Sequence, residues 1–125
     1  MKPLVFWRLI RHRLGIPSRI VDYRNRPFPL ERAQRCVGKG WAGLVEEAYG
    51  VLLDGACVTQ VKEKFGGLRF YYHDVVDHPE IDEIEERSES VCETCGAPGR
   101  GIVRPGGWLV TACLTCAPHS EEIGQ

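Results

Sequence analysis

The sequence lacks any long hydrophobic run. Its first apolar stretch, residues 4–7, ends at Arg8, and no small-residue cleavage site follows. A membrane-spanning helix needs about 20 consecutive apolar residues, and a secretory signal needs an uninterrupted apolar segment ahead of its cleavage site. We therefore expect a cytoplasmic protein without a membrane span. Residues 4–14 have the spacing of an amphipathic helix, which would pack on the protein's own core or lie on a membrane surface.

Signatures of common catalytic sites are missing as well. The sequence has no glycine-rich loop of the kind that cradles phosphate and no Ser/His/Asp set. One catalytic pattern is approached, since His78 and Glu80 ahead of Cys92 and Cys95 resemble the HxE…CxxC arrangement of zinc deaminases, with Glu80 as proton carrier. The eleven intervening residues leave little room for the strand that normally separates the two halves. A second cysteine pair would also have no function, so we predict a protein that is not an enzyme.

The sequence has almost no net charge, −1 at pH 7, but its charges are unevenly divided. Residues 1–40 hold ten Lys and Arg against two acids, whereas residues 41–125 hold six against fifteen. The basic part would bind an external polyanion or pair with the acidic part. Tyr23 and Phe28 are candidate stacking residues there. The candidate nucleic-acid contacts in this part are Arg19, Arg24, Arg26, Arg32 and Arg35.

Four of the six cysteines form two close pairs, Cys92 with Cys95 and Cys113 with Cys116. Seventeen residues separate the pairs, a spacing typical of a four-cysteine zinc site. Zn²⁺ prefers a tetrahedron of such ligands, with sulfur at about 2.3 Å. We therefore predict one Zn²⁺ bound by all four thiolates. Because the thiolates fill the coordination sphere, the ion is expected to be structural; the alternative is that His119 replaces one cysteine.

The segment between the two pairs has the pattern of a β-hairpin. Residues 101–104 and 108–111 are short runs rich in β-branched residues and tryptophan, and Pro105-Gly106-Gly107 joins them. This pattern predicts a zinc ribbon at the C-terminal end of the chain. Gly96 follows the first cysteine pair, where a residue that tolerates positive φ would let the turn close on the metal.

Two helices and a second hairpin are predicted ahead of the ribbon. Residues 58–61 and 68–72 are predicted strands, joined by a turn region over residues 62–67. In the acidic helix over residues 77–91, Asp77 is expected to cap the N-terminus and Pro79 to lie in the first turn. The other helix, over residues 41–53, has an apolar face made of Trp41, Leu44, Val45, Ala48 and Leu52.

The predicted fold is therefore α+β: a small β-hairpin sheet with two or three helices and a C-terminal zinc ribbon. Residues 1–40 form a basic N-terminal helix and arm, residues 41–91 an α+β core, and residues 92–125 the ribbon with a short tail. The small size favours one compact unit that gains stability from a metal ion.

The returning strand of the predicted hairpin has two different faces. Alternation over residues 68–72 places the apolar positions on one face and Arg69 and Tyr71 on the other. Lys62 and Lys64 lie near the turn, so the second face joins cations to an aromatic ring. Such a face suits single-stranded nucleic acid or an acidic peptide. The alternative is an ordinary sheet face on which Arg69 pairs with a nearby carboxylate.

The stretch VKEKFGGLRFYY, residues 61–72, resembles the signature of a family of small bacterial and phage or prophage proteins. In that family a Gly-Trp helix precedes the signature, as Gly40-Trp41 does here, and a CxxCG…GW…CxxC ribbon follows it. The resemblance covers about residues 38–118 and implies a fold and a phage-related setting without implying any chemistry.

Together these features predict a non-enzymatic zinc-ribbon binding protein, a phage-related accessory or regulatory factor that contacts nucleic acid. The alternative is an inhibitor or adaptor that binds a host or phage protein through the acidic helix or the ribbon. The acidic residues of that helix are Glu80, Asp82, Glu83, Glu85, Glu86 and Glu89.

Overall fold

The structure is a computed structural model that describes residues 19–116 and the backbone of residues 121 and 122. The helix predicted for residues 4–14 and the alternative ligand His119 lie outside the described residues. Within them the chain forms three α-helices and five antiparallel strands, which confirms the α+β prediction. In chain order the elements are α1 (Leu30–Gln34), a 3₁₀ turn (Lys39–Trp41), α2 (Ala42–Val51), β1 (Cys57–Lys64), β2 (Gly67–His73), α3 (Pro79–Ser88), β3 (Arg100–Arg104), β4 (Trp108–Ala112) and β5 (Glu121–Glu122).

The β1–β2 hairpin is longer and more tightly turned than its sequence predicts. The strands pair from Cys57 with His73 to Lys64 with Gly67, with one irregularity in register after Val58. The predicted turn region over residues 62–67 is wrong, because the loop is only Phe65 and Gly66. Lys and Glu have low intrinsic strand preference, so the charged end of β1 resembles a loop in sequence, but cross-strand pairing overrides that preference.

The helices pack against the hairpin, and α3 covers the free edge of β2. α3 packs on β2 and α2 packs on α3. The Leu68 N–H donates to Ser88 Oγ and the Phe70 N–H donates to Glu85 Oε2, so side chains of α3 satisfy the unpaired edge of β2. The predicted apolar face of α2 is confirmed. The main core comprises Ile20, Phe28, Ala33, Trp41, Leu44, Val45, Ala48, Leu52, Ala56, Val58, Val61, Leu68, Phe70, Ile81 and Ile84.

Residues 19–34 add an extended segment and a short helix to this core. The Val58 N–H donates to the Val21 carbonyl at 2.8 Å, which fixes the segment beside β1. Phe28 is only 5% exposed, so its prediction as a stacking residue is wrong: the ring packs inward, with the Arg32 guanidinium 4.1 Å from its centroid. The sequence did not predict α1, because five residues are too few for a periodic pattern and too few for a helix that is stable without tertiary packing.

A buried polar pair fixes the start of α3. His78 Nε2 lies 2.6 Å from Asp74 Oδ2, and the His78 N–H donates to the Tyr72 hydroxyl at 2.9 Å. His78 is the N-cap residue and Pro79 the first helical residue. The prediction for Pro79 is confirmed, whereas the prediction that Asp77 caps the helix is wrong, because contacts from Asp74 and Tyr72 set the boundary one residue later.

The ribbon has its own sheet and its own small core. β3 pairs with β4 from Arg100 with Ala112 to Arg104 with Trp108, and β3 also pairs with β5, so that β3 is central. The two strands predicted between the cysteine pairs are confirmed. The ribbon core consists of Cys92, Ile102, Val110 and Ala112.

Candidate functional site

The structure brings the four predicted metal ligands together. The Sγ atoms of Cys92, Cys95, Cys113 and Cys116 all lie within 4.8 Å of one another, and those of Cys95 and Cys113 lie 3.6 Å apart. Tetrahedral bonds of about 2.3 Å to one ion place sulfur atoms about 3.8 Å apart, whereas a disulfide requires about 2.05 Å. The four residues therefore fit a single metal ion.

Backbone N–H groups near the first cysteine pair favour the thiolate form of Cys92. The Gly96 N–H donates to the Cys92 carbonyl, and Gly96 has the positive φ that its place in the sequence predicted. Burial raises the pKa of the Cys92 thiol, but the backbone amides of Cys95 and Cys113 lower it to about 6. The Cys113 sulfur, in contrast, raises the pKa of Cys116 to about 12. Four ionised sulfurs at these distances repel one another, so a bound cation is needed for all of them to be thiolates.

The first cysteine pair docks directly on the turn before α2. The Gly40 N–H donates to the Glu93 carbonyl at 2.8 Å, and the buried Trp41 Nε1 donates to the Val91 carbonyl at 2.9 Å. A Cβ built on Gly40 would lie 1.9 Å from the Cys92 carbonyl oxygen. Only glycine permits this approach, so the Gly40-Trp41 pair has a structural role: it binds the ribbon to the core.

A second link joins the ribbon to the tip of the β1–β2 hairpin. The Thr111 hydroxyl donates to the Gly66 carbonyl, and both groups are buried. The Thr111 N–H donates to the Glu93 carboxylate at 2.7 Å. Burial raises the pKa of that carboxyl, which the Thr111 N–H partly offsets. The metal site and the hairpin tip are therefore parts of one hydrogen-bonded assembly.

Two of the predicted nucleic-acid-binding arginines have partners within the protein. Arg26 Nε and Arg32 Nη1 lie 3.0 Å and 3.2 Å from Asp22 Oδ2. Burial would raise the pKa of Asp22, but the Arg26 and Arg24 N–H groups and the Arg32 side chain lower it to about 2. Arg26 and Arg32 thus stabilise the bend of the chain around Asp22.

The other three predicted arginines of this part differ from Arg26 and Arg32. Among the residues that the structure describes, Arg19, Arg24 and Arg35 make no ion pair with a carboxylate. Their prediction as nucleic-acid contacts stays a prediction.

The remaining predicted cations share one face of the hairpin, where Lys64 is exposed and Lys62 and Arg69 are half-buried. Lys62 lies directly opposite Arg69, and Lys64 follows on the same face. Within the described part of the chain none of the three forms an ion pair with a carboxylate, so the carboxylate partner that the alternative expected for Arg69 is not found there. Whether the face binds nucleic acid or is an ordinary sheet face stays a prediction. Tyr71 shares the face, and Lys62 Nζ lies 5.7 Å from its ring centroid.

Sequence reasoning missed two exposed aromatic residues at the tips of the two hairpins. Phe65 is 71% exposed and Trp108 is 65% exposed. Both residues border the cleft between the β1–β2 tip and the ribbon tip. The sequence held a usable signal, because each of the two residues adjoins a Gly-Gly pair: Phe65 precedes Gly66-Gly67 and Trp108 follows Gly106-Gly107. Such a position is typical of a hairpin loop rather than of a core.

The residues of the deaminase-like pattern are not brought to the cysteines. His78 precedes α3 and Cys92 follows it, and a ten-residue helix spans about 15 Å. His78 is hydrogen-bonded to Asp74 instead.

Some charged residues of the acidic helix already have partners within the protein: Glu85 accepts the Phe70 N–H, and Arg87 pairs with Glu47. Binding of a protein through this helix stays a prediction.

None of the helices in residues 19–116 has the length and hydropathy needed to cross a bilayer. Comparison of the chain with family models, with curated proteins and with solved structures gave no match. The family resemblance drawn from residues 61–72 stays a prediction. The cysteine cluster and the cationic face of the β1–β2 hairpin are therefore the features that bear on function.

Proposed function

We propose that this is a non-enzymatic zinc-ribbon protein that binds nucleic acid through the exposed face of its β1–β2 hairpin. Four clustered cysteines support Zn²⁺ as the ion, because a closed tetrahedral set of thiolates is typical of structural zinc. Such a set leaves no position open for a substrate, which favours a stabilising role. Because the ligands must remain reduced, the cytoplasm is the compartment that fits them.

The cations of the hairpin, which form no ion pair within residues 19–116, support the nucleic-acid part of the proposal. Lys62 and Arg69 are directly opposite each other, and like charges in that position destabilise a hairpin. The strands contain one acidic residue, Glu63, which alternation places on the other face. A phosphate backbone would supply the missing negative charge, and binding would release its counterions.

The biological setting follows from the resemblance of residues 61–72 alone. On that basis we propose a phage-related accessory or regulatory factor. Neither the metal site nor the hairpin depends on this setting, so the biochemical proposal can be tested without it.

The test measures the affinity of the full chain for a fluorescein-labelled oligothymidylate of about 20 nucleotides between 50 and 200 mM salt. In the variant Lys62→Ala/Lys64→Ala/Arg69→Ala, loss of three phosphate contacts should reduce the slope of log K against log salt by about 2. The matched control, Lys62→Arg/Lys64→Arg/Arg69→Lys, keeps every charge and should keep the slope.

Two results would overturn the proposal. One is an affinity that does not change with salt. The other is an Arg24→Ala/Arg35→Ala/Lys39→Ala variant that loses more affinity than the hairpin variant, which would move the contact to the basic part before α2.

A further inference from the structure

Two hairpin tips face each other across a shallow cleft. One tip contributes Phe65 and the other contributes Gly107 and Trp108. The cleft measures about 240 Å³, below the range of about 300–1,000 Å³ that is usual for small-molecule pockets. It is therefore too small to enclose a typical ligand but has an aromatic ring on each side.

Phe65 has a backbone conformation that phenylalanine rarely adopts. Its φ is +53° and that of Gly66 is +76°, as in a type I′ turn, in which Asn-Gly is preferred. A non-glycine residue in this region is strained. Its ring is nevertheless mostly exposed, so core packing does not account for the choice of residue. Strain of this kind is concentrated at binding sites and switch regions.

The cleft meets the basic face of the hairpin at Lys64, which lines the cleft together with Glu63. Lys64 Nζ lies 5.5 Å from the Phe65 ring centroid, and Lys62 Nζ lies 5.7 Å from that of Tyr71, so cations alternate with rings. The Glu63 carboxylate at this tip is bonded to the Gly66 N–H.

A second carboxylate lies at the same tip. Glu89 is within 3.6 Å of the position that a Cβ on Gly67 would take, but it forms no ion pair with Lys64 or Arg69 among the described residues. Within residues 19–116 neither it nor Glu63 forms an ion pair with the cations beside the cleft.

From this arrangement we infer that the nucleic acid is single-stranded and that its bases stack on Phe65 and Trp108 while Lys62, Lys64 and Arg69 contact its phosphates. The inference rests on the proposed function and specifies its ligand. A duplex presents its phosphates but keeps its base faces stacked, whereas a single strand offers both groups to a surface of alternating rings and cations. An acidic peptide offers the charge without the bases.

The experiment uses the zinc-loaded full chain and four probes of equal charge: oligothymidylate, an abasic oligonucleotide, a duplex and polyglutamate. The variants Phe65→Asn and Trp108→Ala should each bind oligothymidylate about ten-fold more weakly and bind the abasic strand as the unmodified protein does. Because Phe65→Asn creates a preferred turn sequence, its loss of affinity cannot arise from unfolding. Phe65→Tyr keeps the ring and is expected to keep the affinity.

The outcomes separate this inference from the proposal on which it rests. Equal affinity for oligothymidylate and the abasic strand, with Phe65→Asn unchanged, would overturn base stacking while the salt dependence still supports phosphate binding. Tighter binding of the duplex than of the single strand would also overturn it. Polyglutamate that binds as tightly as oligothymidylate and loses affinity in Phe65→Asn would identify an acidic protein segment as the ligand and overturn both.

Discussion

Replacing Gly40 with alanine should separate the ribbon from the core without changing a metal ligand. The added Cβ would lie 1.9 Å from the Cys92 carbonyl oxygen and 2.6 Å from the Gly96 backbone nitrogen. Neither atom belongs to a flexible side chain, so the two backbone segments have to move apart by more than 1 Å to reach an ordinary carbon–oxygen contact of about 3.3 Å.

That movement determines the size of the effect. It breaks the hydrogen bond from the Gly40 N–H to the Glu93 carbonyl and strains the one from Trp41 Nε1 to the Val91 carbonyl. A buried group left without its partner costs about 1–3 kcal/mol. We therefore expect Gly40→Ala to lower the free energy of unfolding by about 3 kcal/mol, and the midpoint of thermal unfolding by about 10 °C.

The assay is urea or thermal unfolding of the zinc-loaded protein, with chelator competition to follow the metal. Gly43→Ala is the matched control, since a Cβ on Gly43 meets no atom within 4 Å. As a helical glycine replaced by alanine, it should be neutral or stabilise by up to about 1 kcal/mol. Equal unfolding midpoints for Gly40→Ala and the unmodified protein would refute the close approach and with it the docking of the ribbon.

Three further predictions concern the metal, the acid response and the second ribbon contact. Protein purified without added metal should contain one Zn²⁺ per chain, and chelation should lower its thermal midpoint by about 10 °C or more; a reduced, fully folded sample without zinc would contradict the metal assignment. Because the pKa of Asp22 in the folded protein is about 2, below the usual value of about 3.9, its stabilisation is complete above about pH 4 and is lost as the pH falls toward 2. The difference in unfolding free energy between the unmodified protein and Asp22→Asn should therefore shrink over that range, and a constant difference would argue against the arginine contacts. Thr111→Val leaves the buried Gly66 carbonyl without a donor and should cost about 1–3 kcal/mol in urea unfolding, whereas Thr111→Ser should cost less.

Local sequence patterns were sufficient for the ribbon and for the core helix. The spacing of the cysteine pairs identified four side chains that the structure places within 4.8 Å of one another. Between them, two β-branched runs with a glycine-containing loop gave the strands correctly. In α2, the 3.6-residue period identified the buried face, because an isolated amphipathic helix has a single apolar side that can pack.

Features that depend on tertiary contact were not predictable in the same way. The end of β1 is a strand because residues 67–69 pair with it. α1 is helical because it packs on α2. The contact between Asp74 and His78 makes His78, rather than Asp77, the N-cap residue of α3. The approach of Phe65 to Trp108 depends on the bond between Thr111 and Gly66, which lie 45 positions apart, and no local pattern encodes such a distance.

The bond between Trp41 and Val91 has a consequence for the order of folding. The indole at the centre of the main core donates to a carbonyl 50 positions further along the chain. While the chain is being synthesised, α2 and the β1–β2 hairpin therefore exist for a period before Val91 and the ribbon have been made. During that period the indole lacks its acceptor and the ribbon cannot yet dock on the core. Folding of the main core is thus expected to be completed after synthesis has passed the first cysteine pair, with zinc capture as the final step.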